Sequence, residues 1–227
     1  MDYSLIIWDW NGTLLNDVEA CVTAMNVMLK RRNMSVLDSD QYKKIFTFPV
    51  QDYYRELGFD FQNESFEDLS IEYISLYLEI SKESSLQIGA IEALKYFKEK
   101  DYTQVILSAS EQNALESQVD EREISNYFDS IIGLNNIHAR SKLNNALNYI
   151  NNSEINYSQI VFIGDTYHDY EVSNSVGAKC ILVENGHQKL SVSNFESKIY
   201  LTKNLIEFIE KIKSESQFLA EFVGENN

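Results

Sequence analysis

Two hydrophobic regimes divide this 227-residue chain. Leu5 to Trp8 is an unbroken apolar run with the length and composition of a strand buried on both faces. From Val18 to Arg32 the pattern turns helical, with Val22, Met25, Val27, Met28 and Leu29 forming an apolar stripe. Asn16 and Asp17 offer N-caps for that helix, and Lys30-Arg31-Arg32 suits its C-terminal turn. Asp38 to Ile45 predicts a second helix. Pro49, the sole proline, fits the first residue of a third helix reaching about Leu57, with Gly58 as its stop. Phe66 to about Glu83 predicts a long helix, with Leu69, Ile71, Ile74, Leu76, Tyr77, Leu78 and Ile80 apolar.

Beyond Ile88 short apolar runs alternate with helical stretches. Helices are predicted over Ala90–Lys100, Glu111–Asp120, Ser141–Ile150, Tyr167–Val176 and Leu205 to about Ile212. Strands are predicted over Thr103–Leu107, Phe128–Leu134, Gln159–Ile163, Lys179–Val183 and Ile199–Leu201. The acidic tail after Ser214 reads as one more helical turn or a frayed end. Strands alternating with helices predict an α/β fold, a parallel sheet covered by helices on both faces. The first strand is separated from the others by an all-helical insertion. The expected division is a core of residues 1–15 and 87–227 and a helical cap of residues 16–86.

The first strand ends on Asp9, followed by Trp10-Asn11-Gly12-Thr13. Open α/β sheets place ligand chemistry at the carboxyl ends of their strands. Gly12 supplies the backbone freedom for a sharp turn there. The plainer reading of Asp9 is a residue that ends a strand and caps a turn. Later stretches repeat the arrangement. Val105-Ile106-Leu107 ends on Ser108, Lys142 opens a helical pattern, and Val161-Phe162-Ile163 ends on Gly164-Asp165, with Asp169 following.

Net charge narrows the partners. At −16, with no basic stripe, the chain is not expected to hold nucleic acid through phosphate contacts. No apolar stretch has the length of a membrane span. Cys21 and Cys180, the two cysteines, match no metal spacing and read as buried thiols of a reducing compartment. The first strand begins almost at once, which leaves no room for a signal peptide, and a cytoplasmic protein is expected.

Asp9, Ser108, Lys142 and the Asp165/Asp169 pair, in that order and at strand ends, resemble the four motifs of the haloacid dehalogenase superfamily of aspartate-nucleophile hydrolases. The helical insertion after the first motif is similar to its phosphoglycolate phosphatase and β-phosphoglucomutase branch, with a Rossmann-like core. The resemblance implies a phosphohydrolase that acts on a small phosphorylated metabolite through an aspartyl-phosphate intermediate. It implies Asp9 as nucleophile. It implies Mg²⁺, held by Asp9, the backbone carbonyl of Asn11 and Asp165, with Asp169 as a further or water-mediated partner. Ser108, the backbone of Ala109 and Lys142 would bind the phosphate. Lys142 is preferred to Lys179 because it follows Ser141 and precedes Asp165 at the family's spacing. Substrate choice would lie in the cap around Phe46, Thr47, Phe48, Gln51 and Tyr54. Their plainer reading is cap core.

One departure from the family pattern bears on turnover. Asn11 stands where most family phosphatases carry an aspartate that serves as general acid and then base. An amide does neither at neutral pH, a loss of about 10²–10⁴-fold. His168 and His187 are candidate substitutes, although a lone histidine is more often structural. The alternative is therefore a catalytically weak, phosphate-binding or regulatory protein. A dehalogenase would not need the Asp165/Asp169 pair, a mutase would use the missing aspartate, and a receiver domain has no helical insertion.

Overall fold

The computed structural model describes residues 5–135, 142–153, 155–191, 195, 199–215 and 218. The strands are β1 (Leu5–Trp8), β2 (Thr103–Glu111), β3 (Ser130–Leu134), β4 (Ile160–Gly164), β5 (Lys179–Val183) and β6 (Tyr200–Thr202). They form one six-stranded sheet in the order β3-β2-β1-β4-β5-β6, and every adjacent pair is parallel. The core helices are α5 (Ala90–Glu99), α6 (Gln112–Asp120), α7 (Leu143–Asn152), α8 (Tyr167–Ser175) and α9 (Leu205–Ser214). Between β1 and α5 lie α1 (Val18–Arg31), α2 (Ser39–Ile45), α3 (Val50–Glu56) and α4 (Phe66–Ile80).

The period of two explains how β1 serves both faces. Ile6 and Trp8 join the apolar layer under α5, α6 and α9, with Phe97 and Phe208. Leu5 and Ile7 join the opposite layer under α7 and α8, with Ile150 and Val172. A third apolar cluster belongs to the helical insertion and packs Met25, Met28 and Leu29 of α1 against Tyr42, Tyr54 and Leu69. The insertion leaves and rejoins the sheet through neighbouring backbone. Asn16 N–H donates to the Ser85 carbonyl at 2.9 Å, Gln87 N–H donates to the Leu14 carbonyl at 2.8 Å, and Leu15 bridges Leu86.

Local structure departs from the sequence expectation in a few places. Pro49 is the N-cap of α3 and not its first residue, and the Phe48–Pro49 peptide is cis. α4 stops at Ile80 and tightens into a 3₁₀ turn over Ser81–Glu83. β2 continues four residues past Leu107, with its pairing to β3 shifted between Leu107 and Glu111. Asp17 occupies the N-cap position of α1 but its side chain caps nothing. The expected helix start at Ser141 lies outside the described residues, as does most of the acidic tail. Among the described residues no helix is long and apolar enough to cross a membrane.

Candidate active site

The strand order reverses at β1, whose neighbours β2 and β4 lead the chain to opposite edges. A crevice outside the carboxyl ends of the strands is expected at such a switch point. Asp9 follows β1 there, and its N–H donates to the Ile163 carbonyl of β4 at 2.8 Å. Ser108 sits on the polar extension of β2 and Asp165 directly after β4. The Lys142 N-cap brings an ammonium to the same point. A lysine at a helix N-terminus opposes the helix dipole, so α7 does not account for it. The carboxylates do. Lys142 is 2% exposed and donates to Asp9, to Asp169 Oδ1 at 2.6 Å and to the Leu107 carbonyl at 2.9 Å.

Asp165 and Asp169 are held from below. Asp165 Oδ1 accepts from Thr13 Oγ1 at 2.7 Å, and Oδ2 accepts from the His187 N–H at 2.6 Å. Asp169 Oδ2 accepts from Thr166 N and Oγ1 and from Asp165 N. Asp169 thus completes the capping box of α8 with one oxygen and meets Lys142 with the other. Three glycines allow this crowding, and a Cβ on Gly186 would lie 2.2 Å from Asp165 Oδ2. Gly12 has φ +74°, and a Cβ there would lie 2.4 Å from Asp165 Oδ2. A Cβ on Gly164 would lie 2.3 Å from Asp169 Cγ.

Ligating oxygens of Asp9, Asp165 and Asp169 lie within 4.8 Å of one another. Burial, aided by the charges of Asp169 and Asp165, pushes Asp9 well above the ordinary carboxylate range despite Lys142. Burial, aided by Asp169, raises Asp165 to about 6 against the opposing pull of His187. Burial would also raise Asp169, but the Lys142 charge outweighs it and holds Asp169 below its usual value. Burial would lower Lys142, yet Asp169 and Asp9 hold it above its usual value. Three carboxyl groups face one ammonium, so the cluster holds more acidic groups than cations to match them. All three donors are hard oxygens, so the cluster fits a divalent cation of the Mg²⁺ type. The backbone bonds of the Asp9 turn run from Leu14 and Leu15 N–H to the Trp10 carbonyl and from Gly12 N–H to the Leu15 carbonyl. The Asn11 carbonyl is not among those acceptors.

A second buried network adjoins this cluster. Asp17 is 0% exposed. Its Oδ1 accepts from Gly12 N–H at 2.9 Å and faces His187 Nε2 at 3.1 Å. Its Oδ2 accepts from Asn11 Nδ2 and Tyr77 Oη, both at 2.7 Å. Burial would lower His187, but Asp17 lifts it to about 9, so the ring is an imidazolium at neutral pH. Burial would raise Asp17, but the His187 charge and hydrogen bonds hold it below its usual value. The other ring nitrogen of His187 meets Tyr42 Oη at 2.9 Å. Asn11 is fixed at both ends of its amide, with Oδ1 accepting from Ser110 Oγ at 2.7 Å. Sequence reasoning missed this role of Asp17. The available signal was the pair Asn16-Asp17, two cap candidates where one is needed.

Above both networks lies a cavity of about 150 Å³ between the sheet and the helical insertion. Asp9, Asn11, Ser108, Ala109, Lys142 and Asp169 line its floor, and Phe46, Phe48 and Tyr54 line its wall. Thr47 and Gln51 do not line it. His168, buried in part beside Lys142 and held below its usual pKa first by burial and then by that charge, stacks on Phe48 with ring centroids 4.7 Å apart.

The model of the haloacid dehalogenase-like hydrolase family matches residues 6–183. A phosphoglycolate phosphatase of Pseudomonas fluorescens is 21% identical over 190 residues, 81% of this chain and 70% of that protein. A haloacid dehalogenase-like hydrolase from Streptococcus pneumoniae shares the fold with a TM-score of 0.77 at 19% identity, covering 92% of this chain and 98% of the other. A hydrolase from Pseudomonas syringae does so with a TM-score of 0.71 at 16% identity, covering 93% and 99%.

Proposed function

The chain belongs to the haloacid dehalogenase-like hydrolases, and from that premise we propose that it is a Mg²⁺-dependent phosphomonoesterase of the cytoplasm acting on a small phosphorylated metabolite. The observation that carries this reading is Asp9 on the cavity floor, paired with Lys142 and within 4.8 Å of Asp165 and Asp169. The name of the Pseudomonas relative supports a phosphate ester as substrate. The two cysteines, both buried and free, suit a reducing compartment. The proposed division is a core of residues 1–15 and 87–227 and a cap of residues 16–86, supported by the insertion's own apolar cluster.

In this reading Asp9 attacks phosphorus and carries the phosphoryl group as an acyl phosphate, which water then hydrolyses. Ser108 and the Ala109 backbone orient the phosphate oxygens, and Lys142 offsets their charge. Mg²⁺, held by Asp9, Asp165 and the Asn11 carbonyl with Asp169 at one remove, would supply the remaining positive charge that lets two anions meet. Phosphate release from sugar phosphates, phosphoglycolate and nucleotides, with Mg²⁺ and with EDTA, tests the proposal. Release that depends on Mg²⁺ is expected from at least one compound. Release from none, or release unchanged by EDTA, overturns it.

The locked amide of Asn11 favours the slower variant of this function, because no carboxyl stands at that position to protonate the leaving oxygen. Asn11→Asp would set a new carboxyl against Asp17 Oδ2, where Nδ2 now lies at 2.7 Å. Two carboxylates in contact must share a proton. The variant would therefore hold a proton donor beside the phosphate, but one partly committed to Asp17. Turnover of an alkyl phosphate is expected to rise about tenfold, less than the 10²–10⁴-fold of a free acid–base group. An aryl phosphate should gain little. Equal gains on both, or none, would show that position 11 does not limit protonation.

A further inference from the structure

The cavity wall contributed by the helical insertion is aromatic. Tyr42, Phe46, Phe48, Tyr53, Tyr54 and Tyr73 all line it. The whole cavity, floor included, measures about 150 Å³, which limits the occupant to a small molecule.

Charge argues in the same direction. Among the described residues lining the cavity, Lys142 is the one lysine or arginine, and it is already shared by Asp9 and Asp169. Glu111 lines the cavity as well. The His187 imidazolium also lines the cavity but is committed to Asp17, so a carboxylate on the alcohol side of the ester would be desolvated beside Glu111 with both cations already paired. The chemistry at position 11 supplies an independent constraint. Asn11 cannot donate a proton, so an ester whose alcohol departs well as an anion is favoured over one that needs protonation.

We propose that the substrate is a small aryl phosphate, its single ring held by the aromatic wall, and not a phosphorylated carboxylic acid. The proposal rests on the phosphomonoesterase reading above. An Asp9 oxygen forms a bond to phosphorus, and the bond from phosphorus to the phenolic oxygen breaks. The electron pair leaves on the phenolate, which takes its proton from solvent. Water then attacks phosphorus, the bond to Asp9 breaks, and its electron pair returns to the carboxylate. The proton of that water passes to phosphate or solvent. The balance is ester plus water to phenol plus inorganic phosphate.

The test has a kinetic arm and a binding arm. kcat/KM is compared for phenyl phosphate, ethyl phosphate and phosphoglycolate with Mg²⁺ present. Calorimetry measures the affinities of benzylphosphonate and phosphonoacetate, which are not hydrolysed. Phenyl phosphate is expected to exceed phosphoglycolate at least tenfold in kcat/KM, and benzylphosphonate to bind at least tenfold more tightly than phosphonoacetate. A smaller margin in either comparison, or a reversed order, overturns the aryl assignment while leaving the phosphomonoesterase reading in place. Phosphate release from no ester removes that reading instead, and the two phosphonate affinities then decide the ligand class alone.

Discussion

Asp9→Asn is expected to lower phosphate release by about 10⁴-fold or more while the protein stays folded. The amide keeps the shape of the side chain but is no nucleophile, so the first displacement has no attacking atom. Folding should survive for an electrostatic reason. Lys142 would keep its contacts with Asp169 and with the Leu107 carbonyl. One of the crowded carboxylates would also be gone, and crowding is part of what pushes Asp9 upward. Rapid mixing with an aryl phosphate gives a second reading of the same residue. Wild-type protein should release a burst of phenolate equal to the enzyme concentration, because no group at position 11 speeds hydrolysis of the acyl phosphate. The variant should give no burst. Turnover within tenfold of wild type in the variant, checked alongside its circular dichroism, would reject Asp9 as the nucleophile.

The second large effect is on stability and falls on Asp17. Asp17→Asn would leave the His187 imidazolium buried without its counter-charge. It would also replace one acceptor oxygen of a carboxylate that serves Gly12, Asn11 and Tyr77. Breaking one side of a buried pair costs about 3–5 kcal/mol. For a chain of this size that lowers Tm by about 6–20 °C. The double variant Asp17→Asn/His187→Gln removes both charges and is expected to recover at least half of the loss, as a double-mutant cycle would report. A single variant within about 1 kcal/mol of wild type would mean that the pair is not held as the hydrogen bonds indicate.

The parallel sheet and its helical insertion were legible because each strand is a short apolar run and each helix has an apolar stripe. The site was legible where chemistry sits next to such a run. Asp9, Ser108 and Asp165 all follow uninterrupted hydrophobic residues, and Asp169 is one helical turn beyond Asp165. Where a strand itself turns polar to face the cavity, hydrophobicity misplaces its end, as with Ser108–Glu111 of β2. The Asn11–Asp17–His187–Tyr77 network was not legible. Asn11 and Asp17 are close in sequence, but Tyr77 and His187 are remote from them, and each member has an ordinary local use, as a cap, a loop residue or a helix-face tyrosine. Only the fold turns Asp17 away from the α1 amides and toward Asn11. The cap wall was half legible. The family resemblance pointed to the segment, of which Phe46, Phe48 and Tyr54 line the cavity and Thr47 and Gln51 do not.

The paired backbone at the neck of the helical insertion bears on how the chain assembles. Leu14–Asn16 and Ser85–Gln87 lie side by side, so residues 16–86 leave the sheet and return at one place. The entropy of closing a loop grows only with the logarithm of its length. The insertion also gathers an apolar cluster from contacts within its own span, and such local contacts form early. Once its neck is joined, β1 and β2 meet as if connected by a short link. The most demanding search left to the chain is then the pairing of β1 with β4, Leu5 against Ile160, which no comparable neck shortens.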